Sequence, residues 1–481
     1  MKANLKGTFN EVTEEDYESC TKPREFKKLL FALAYFHAVI LERRKYGAIG
    51  WNIPYEWMNS DFVTSKTQLK MYLDEQPDIP YIALNYLCAE VNYGGRVTDD
   101  KDIRLIKALL KRYFCPEIMN DNYKLSKLEH YYAPHESSLS DVKNYINLLP
   151  LEDDPEVFGL HPNANITFEQ KTVREFMDTI LIIQPRISGG KAVKTSEEIV
   201  QDLAREIVGK LPKSLDKRKA HEKTFAMTES GQMLSLGVFV GQEIDRFNKL
   251  LSVMKSTLVN LDKAIEGTVV MSMELEMMFN NFLNNKVPLQ WEKVGYPSLK
   301  PLSSWVTDLI HRVDFIGKWL YHGPPSTYWL PAFFFPQGFM TATLQQYARK
   351  TKTPIDTLAF KTHVRELFEE NVKELPEDGV NIHGLFLQGA KWDFKKKMVE
   401  DSDPKVPIIK MPVIWLEPVL EKEVPEDKVY YCPLYKTSVR AGELSTTGHS
   451  TNFVLFLHLT SDVPQDYWIR RGAALLCMTD D

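Results

Sequence analysis

Cysteine is scarce in this chain of 481 residues, and the few cysteines present follow no metal-binding or disulfide pattern. They are odd in number and scattered, and nowhere form C-x-x-C: Cys20, Cys88, Cys115, Cys432 and Cys477. This pattern disfavours a disulfide framework and a cysteine-based zinc site, and it indicates a reducing compartment.

Long apolar runs and an excess of basic charge are also missing. The longest apolar stretch, Leu29 to Leu41, contains His37 and is shorter than the roughly 20 residues of a membrane-spanning helix. No signal-peptide pattern follows Met1. Lys and Arg number 59 against 65 Asp and Glu, which disfavours a dedicated nucleic-acid binder. We therefore expect a soluble intracellular protein without nucleic acid or membrane among its partners.

The motifs of common catalytic sites are absent as well. The sequence has no G-x-x-x-x-G-K-[ST], no G-x-G-x-x-G and no H-E-x-x-H. Its nearest approach to a phosphate loop is Ser188-Gly189-Gly190-Lys191, for which a flexible loop is favoured over a phosphate site. We accordingly predict no catalytic residues, no cofactor-binding residues and no metal ligands.

Two polar groups are candidate sites. His130 and His135, with Glu136, are possible metal ligands, but their spacing across a proline fits no helix face, so ordinary histidines are favoured. His449 and Ser450 suggest a nucleophile and its base. Adjacent residues of an extended segment point to opposite faces, so a turn into a strand is favoured there.

Basic and aromatic runs leave further alternatives open. Lys213 to Lys223 is interpreted as a solvated helix face rather than a partner patch. Lys391 to Lys397 is interpreted as a strand or turn edge that packs Trp392, rather than a platform for single-stranded nucleic acid. Phe333 to Phe335, with Trp329, is interpreted as core packing, and a partner surface is the alternative.

Helical periodicity dominates up to about residue 378, and Asp99 is placed to cap one helix. Thr167 with Gln170 and Thr195 with Glu198 match the capping box. The clearest apolar stripes span Phe26 to Ile40, Ser65 to Asp74, Ile244 to Leu261 and Leu302 to Leu320.

From about Gly384 the pattern changes to short segments rich in Val, Ile, Tyr and Phe, which predicts strands. These segments are Ile408 to Leu416, Lys428 to Tyr435, Asn452 to Leu459 and Ala473 to Met478. The predicted fold class is α+β, mainly helical, ending in a small antiparallel β-barrel or sandwich.

Several strings resemble the C-terminal end of dynein heavy chains, the microtubule motors built on a ring of AAA+ modules. They cover essentially the whole sequence in order, and those after residue 380 look most like the axonemal, or ciliary, class. They include Phe26 to Leu33, Gly50 to Tyr55, Glu90 to Asp100, Phe158 to Ala164, Glu243 to Leu251, Tyr296 to Leu302 and Ser445 to Phe453.

The resemblance implies four parts. Residues 1–20 would end the large part of the last AAA+ module, and 21–117 would form its helical small subdomain. Residues 118–383 would be the helical part of the C-terminal domain, and 384–481 its β-barrel-like part. The sequence would then be a fragment of a longer heavy chain.

The resemblance also implies a function. This region would be non-catalytic, would close the ring and regulate ATP-driven motility of cilia or flagella, and would lie in the cytoplasmic cytoskeleton of the axoneme. Its partners would be the remaining AAA+ modules and, through the parent protein, dynein subunits and microtubules. ATP and Mg would sit in other modules of a microtubule-motor ATPase. The alternative is a free-standing interaction scaffold without a motor role.

Overall fold

A 21-residue helix buried on every side organises the first third of the molecule. The structure, a computed structural model, describes residues 1–134, 138–183, 194–442 and 451–480. Every residue from Leu29 to Ile40 is buried, because neighbouring helices surround this segment. The helices of this part are α1 (Lys2–Asn10), α2 (Glu14–Glu18), α3 (Pro23–Arg43), α4 (Asn59–Glu75), α5 (Tyr81–Tyr86), α6 (Asp100–Leu110) and α7 (Leu139–Leu148).

Longer helices form the middle of the molecule. They are α8 (Ala164–Ile183), α9 (Ser196–Lys210), α10 (Ser235–Ile265), α11 (Met273–Leu283), α12 (Leu289–Glu292), α13 (Leu302–His322) and α14 (Pro336–Thr351). The stripe predicted on α13 is confirmed as core. Trp305 is 2% exposed and stacks between Trp291 and Tyr296, with ring centroids 5.8 and 5.5 Å away.

The helix starts agree only in part with the prediction. The Asp99 carboxylate caps α6 by accepting from the backbone amides of Lys101 and Asp102. The capping box of Thr195 and Glu198 is confirmed at the start of α9. The one predicted at Thr167 is wrong, because turns through Pro162 start α8 three residues earlier and leave Thr167 inside the helix.

The strands form two mixed sheets and a hairpin. They are β1 (Tyr328–Trp329), β2 (Leu358–Val364), β3 (Val380–His383), β4 (Phe386–Gln388), β5 (Lys391–Asp393), β6 (Met398–Glu400), β7 (Ile408–Lys410), β8 (Ile414–Leu420), β9 (Val429–Tyr435), β10 (Phe453–Thr460) and β11 (Ala474–Leu476). One sheet has the order β1-β3-β8-β2, the other β10-β9-β11-β4-β7, and β5 pairs with β6. A short helix, α15 (Gln465–Arg471), precedes β11.

The sheets differ from the predicted antiparallel barrel in two respects. β1 pairs with β3 and β11 with β9 in parallel, and the described strands close no barrel. Strands also begin before Gly384. β2 pairs along its whole length with β8, so one sheet takes strands from both sides of the predicted boundary. The segment predicted from Ile408 to Leu416 is divided into β7 and β8 by the intervening Pro412.

Candidate functional site

Most of the candidate polar motifs fall outside the residues that the structure describes. These are His135 and Glu136, Ser188 to Lys191, and His449 with Ser450. Within the described ranges, no three His, Cys, Asp or Glu side chains are grouped so that they would hold a metal ion. All five cysteines are free thiols, and four of them are buried. Among the same described residues, no helix combines the length and apolarity needed to cross a membrane.

The two basic runs are tied up by local carboxylates. The segment 213–223 is not the predicted helix face; it is a loop with one short 3-10 turn, in which Lys217 lies 2.7 Å from Asp245. The prediction for 391–397 is confirmed. Trp392 is 7% exposed in the β5–β6 hairpin, and Lys391 pairs with Asp403 at 2.5 Å.

The aromatic run is divided between core and surface. Phe333 is buried against Phe239, with ring centroids 5.0 Å apart, and Phe334 packs on Phe247 at 4.7 Å. Phe335 is 46% exposed. The core interpretation therefore holds for Phe333 and Phe334 and is wrong for Phe335.

The candidate site is a buried polar seam, which we define as the contacts between residues 43–163 and residues 401–472. Its centre is Arg43, a fully buried guanidinium at the end of α3. Its Nη1 donates to the backbone oxygens of Phe158 (2.5 Å) and Arg470 (3.0 Å), and its Nε donates to Gly50 (3.2 Å). One guanidinium thus joins three segments of the molecule.

A second cluster of the seam surrounds the start of α6. The Asn52 amide donates to Asp99 at 3.2 Å and to the hydroxyl of Tyr435 on β9 at 2.9 Å. The Asp102 carboxylate accepts from the backbone amides of Asn52 (3.0 Å) and Ile53 (3.1 Å). The turn after α3, helix α6 and strand β9 therefore share one hydrogen-bonded network.

Cations of α6 rest on aromatic rings of the second sheet. The Lys101 ammonium lies 3.5 Å from the ring centroid of Phe453. The Arg104 guanidinium lies 5.2 Å from that of Phe456, and its Nη1 donates to the Tyr431 carbonyl at 2.9 Å. Cation–π contacts gain strength where water is excluded, as it is beneath Lys101, which is 5% exposed.

The far end of the seam is held by Asn163 and Arg471. The Asn163 amide donates to the carbonyls of Asp403 (2.8 Å) and Val406 (3.0 Å). The Arg471 guanidinium, almost fully buried, lies 3.3 Å from both Glu156 and Asp401. Each residue therefore connects the end of the helical part to the loops and the helix around the sheets.

Burial changes the proton affinities of the seam. It raises the pKa of Asp102 to about 7, an effect to which the neighbouring Asp99 charge adds. It lowers the pKa of Arg43 to about 9. Most seam groups bond to backbone carbonyls and amides, so this arrangement is suited to holding segments in register rather than to transferring protons.

Sequence reasoning missed the seam, since its partners lie up to 427 residues apart in sequence. One signal was available: Arg43 continues the apolar stripe of α3, a position where a charge requires buried partners.

A helical part joined through a polar seam to a mixed-sheet part defines a two-part mechanical module. The model of the AAA lid domain of dynein heavy chains matches residues 26–164, and that of their C-terminal domain matches residues 170–477. The protein therefore belongs to the dynein heavy chain family. The first model extends well beyond the predicted end of the small subdomain at residue 117.

Curated relatives agree over the whole sequence. It is 44% identical to dynein axonemal heavy chain 6 of Homo sapiens and to dynein axonemal heavy chain 3 of Mus musculus, with 100% of this protein and 12% of each relative covered. It is equally identical to dynein axonemal heavy chain 1 of Rattus norvegicus, of which 10% is covered. The sequence thus spans only about a tenth of the length of these relatives.

Proposed function

We propose that this protein is the non-catalytic C-terminal region of an axonemal dynein heavy chain. Its lid part would complete the ring of AAA+ modules, and its C-terminal domain would brace the ring and regulate ATP-driven motility on microtubules. The parent protein would be a microtubule-motor ATPase of the axoneme, with ATP and Mg bound by other modules. Its partners would be those modules, dynein subunits and microtubules.

The observation that carries the proposal is the seam. Arg43 joins the lid part to the helix before the last strand, and Asn52 joins it to β9. Hydrogen bonds between charged groups and buried carbonyls contribute about 1.5–3 kcal/mol each and depend strongly on direction. A movement of the lid would therefore be passed to the C-terminal domain as a displacement of a packed body.

A paired substitution in the full-length heavy chain tests this coupling. Arg104→Gln removes a seam contact to β9, whereas Lys107→Gln, one turn further along α6, removes only a pair with Glu90 inside the lid part. We expect Arg104→Gln to change microtubule gliding velocity or force while basal ATPase persists, and Lys107→Gln to change neither. Unaltered gliding by the Arg104 variant, or complete loss of its basal ATPase, would contradict the regulatory role.

A second measurement addresses the absence of a nucleotide site in this segment. The proposal expects isothermal titration of the 481-residue protein with Mg-ATP to give no binding heat. A micromolar site within these residues would contradict the assignment and would favour an enzyme of another kind.

A further inference from the structure

A partly enclosed cavity of about 240 Å³ lies between the start of α10, the end of α13, α14 and the segment that leads into β3. Its walls are mainly apolar, with Trp319, Tyr328, Leu234, Pro324 and Val380 among them. Ligand cavities commonly measure about 300–1,000 Å³, so this one suits a single ring with a short substituent.

Three polar groups of the cavity wall lack hydrogen-bond partners among the described residues. They are the indole Nε1–H of Trp319, the side-chain oxygen of Gln346 and the hydroxyl of Tyr328. Trp319 and Tyr328 are 1% and 2% exposed, and their rings lie 4.9 Å apart. Buried indole N–H groups usually find an acceptor, and leaving one unpaired costs about 1–3 kcal/mol. The wall therefore offers polar groups that a bound molecule would satisfy.

The charges at the rim of the cavity cancel. Lys223 and Lys350 line it together with Glu377 and Asp378, and the Lys350 ammonium lies 2.6 Å from Asp378. Two cations and two anions give no net field to select an ion, so the cavity favours a neutral occupant.

The donor and acceptor pattern narrows the chemistry. An indole N–H only donates, so it requires an acceptor on the ligand, whereas the Gln346 oxygen only accepts and requires a donor. A carboxamide supplies both on adjacent atoms. Burial raises the pKa of the Tyr328 hydroxyl, which therefore stays protonated and serves as donor or acceptor. We propose that this cavity binds a small neutral molecule in which a flat apolar ring carries a carboxamide group.

Matched probe molecules test the proposal on the whole protein. Benzamide is titrated against protein labelled with ¹⁵N at its tryptophan side chains, and the signal of Trp319 among the nine indoles is identified from Trp319→Phe. We expect benzamide to shift this signal in a saturable way. Benzoate, which lacks the N–H donor and is charged, and toluene, which lacks both polar atoms, should bind at least about tenfold more weakly.

Variants locate the binding. Gln346→Met removes the acceptor, and Tyr328→Phe removes only the hydroxyl; each should weaken benzamide by about threefold to tenfold. Leu236→Trp, which places an indole in the cavity wall, should abolish binding. Gln345→Met is the matched control, because this neighbour on α14 does not line the cavity.

Thermal melting of each variant establishes that it is folded before binding is compared. The proposal is overturned if benzamide leaves the Trp319 signal unmoved, which would mean that water alone satisfies these groups. It is equally overturned if benzoate binds as well as benzamide, or if the Leu236 variant, shown to be folded, retains full affinity.

Discussion

Replacing Arg43 with methionine should weaken the seam more than any other single truncation within it. The guanidinium donates three hydrogen bonds to backbone carbonyls of three separate segments. Methionine has a similar length but no donor, so the carbonyls of Gly50, Phe158 and Arg470 would lose this partner in a buried site. Unsatisfied buried acceptors cost about 1–3 kcal/mol each.

An opposing contribution lowers this total. Arg43 is a desolvated cation, as its pKa of about 9 indicates, and removing a buried charge recovers part of its desolvation penalty. We therefore expect a net loss of about 3–5 kcal/mol in the free energy of unfolding, within the range measured when one partner of a buried charged network is removed.

The assay is denaturant unfolding of the protein, followed by circular dichroism and by tryptophan fluorescence, with Arg44→Met as control. Arg44 is less deeply buried than Arg43, and its hydrogen bonds reach Leu41 and Tyr55 inside the lid part alone. The control should lose about 1 kcal/mol or less. Equal losses in the two variants would show that the contacts of Arg43 across the seam carry no special share of the stability.

Four further predictions follow from single contacts. Trp305→Ala should cost about 3–5 kcal/mol, seen as a lower denaturation midpoint, because the stacked indole leaves a cavity. Asp102 holds its proton in the folded state up to a pKa of about 7, so stability should fall by about 1.4 kcal/mol from pH 6 to pH 8, and Asp102→Asn should remove this slope. Gly472→Ala should lower the melting temperature, since φ is +66° and the new Cβ would lie 2.3 Å from the Ile49 carbonyl oxygen. Truncation at Pro376 should abolish the helical melt, because it removes β8, the partner of β2; an intact melt would restore the view of the β region as separable.

The sequence predicted best what depends on local periodicity. The stripes of α3, α10 and α13 bury the residues that the helical spacing selected, and the cap at Asp99 is formed by the carboxylate expected to form it. These features depend on neighbours within a few residues. The same holds for β9, β10 and β11, whose β-branched and aromatic residues define the strands almost to the residue.

What failed depends on partners distant in sequence. β1 is two residues long and exists because β3 lies beside it in parallel, a pairing that leaves no trace in local composition. β2 pairs with a strand that begins only at Ile414, so the period change near Gly384 does not coincide with the start of the sheets. The seam belongs to the same class, since each of its bonds joins segments whose proximity is decided by the fold.

The chemical character of the seam bears on its proposed role. An apolar interface of the same size would be stable, but its contacts are non-directional and tolerate sliding. At this seam Arg43, Asn52 and Asn163 instead bond to particular backbone oxygens or a particular hydroxyl across the boundary. A shift of about 1 Å would break those bonds and leave buried donors without partners, so the two parts either keep this register or separate at a cost of several kcal/mol. A region proposed to pass ring motions onward requires this behaviour, because a compliant joint would absorb the displacement that a motor has to transmit.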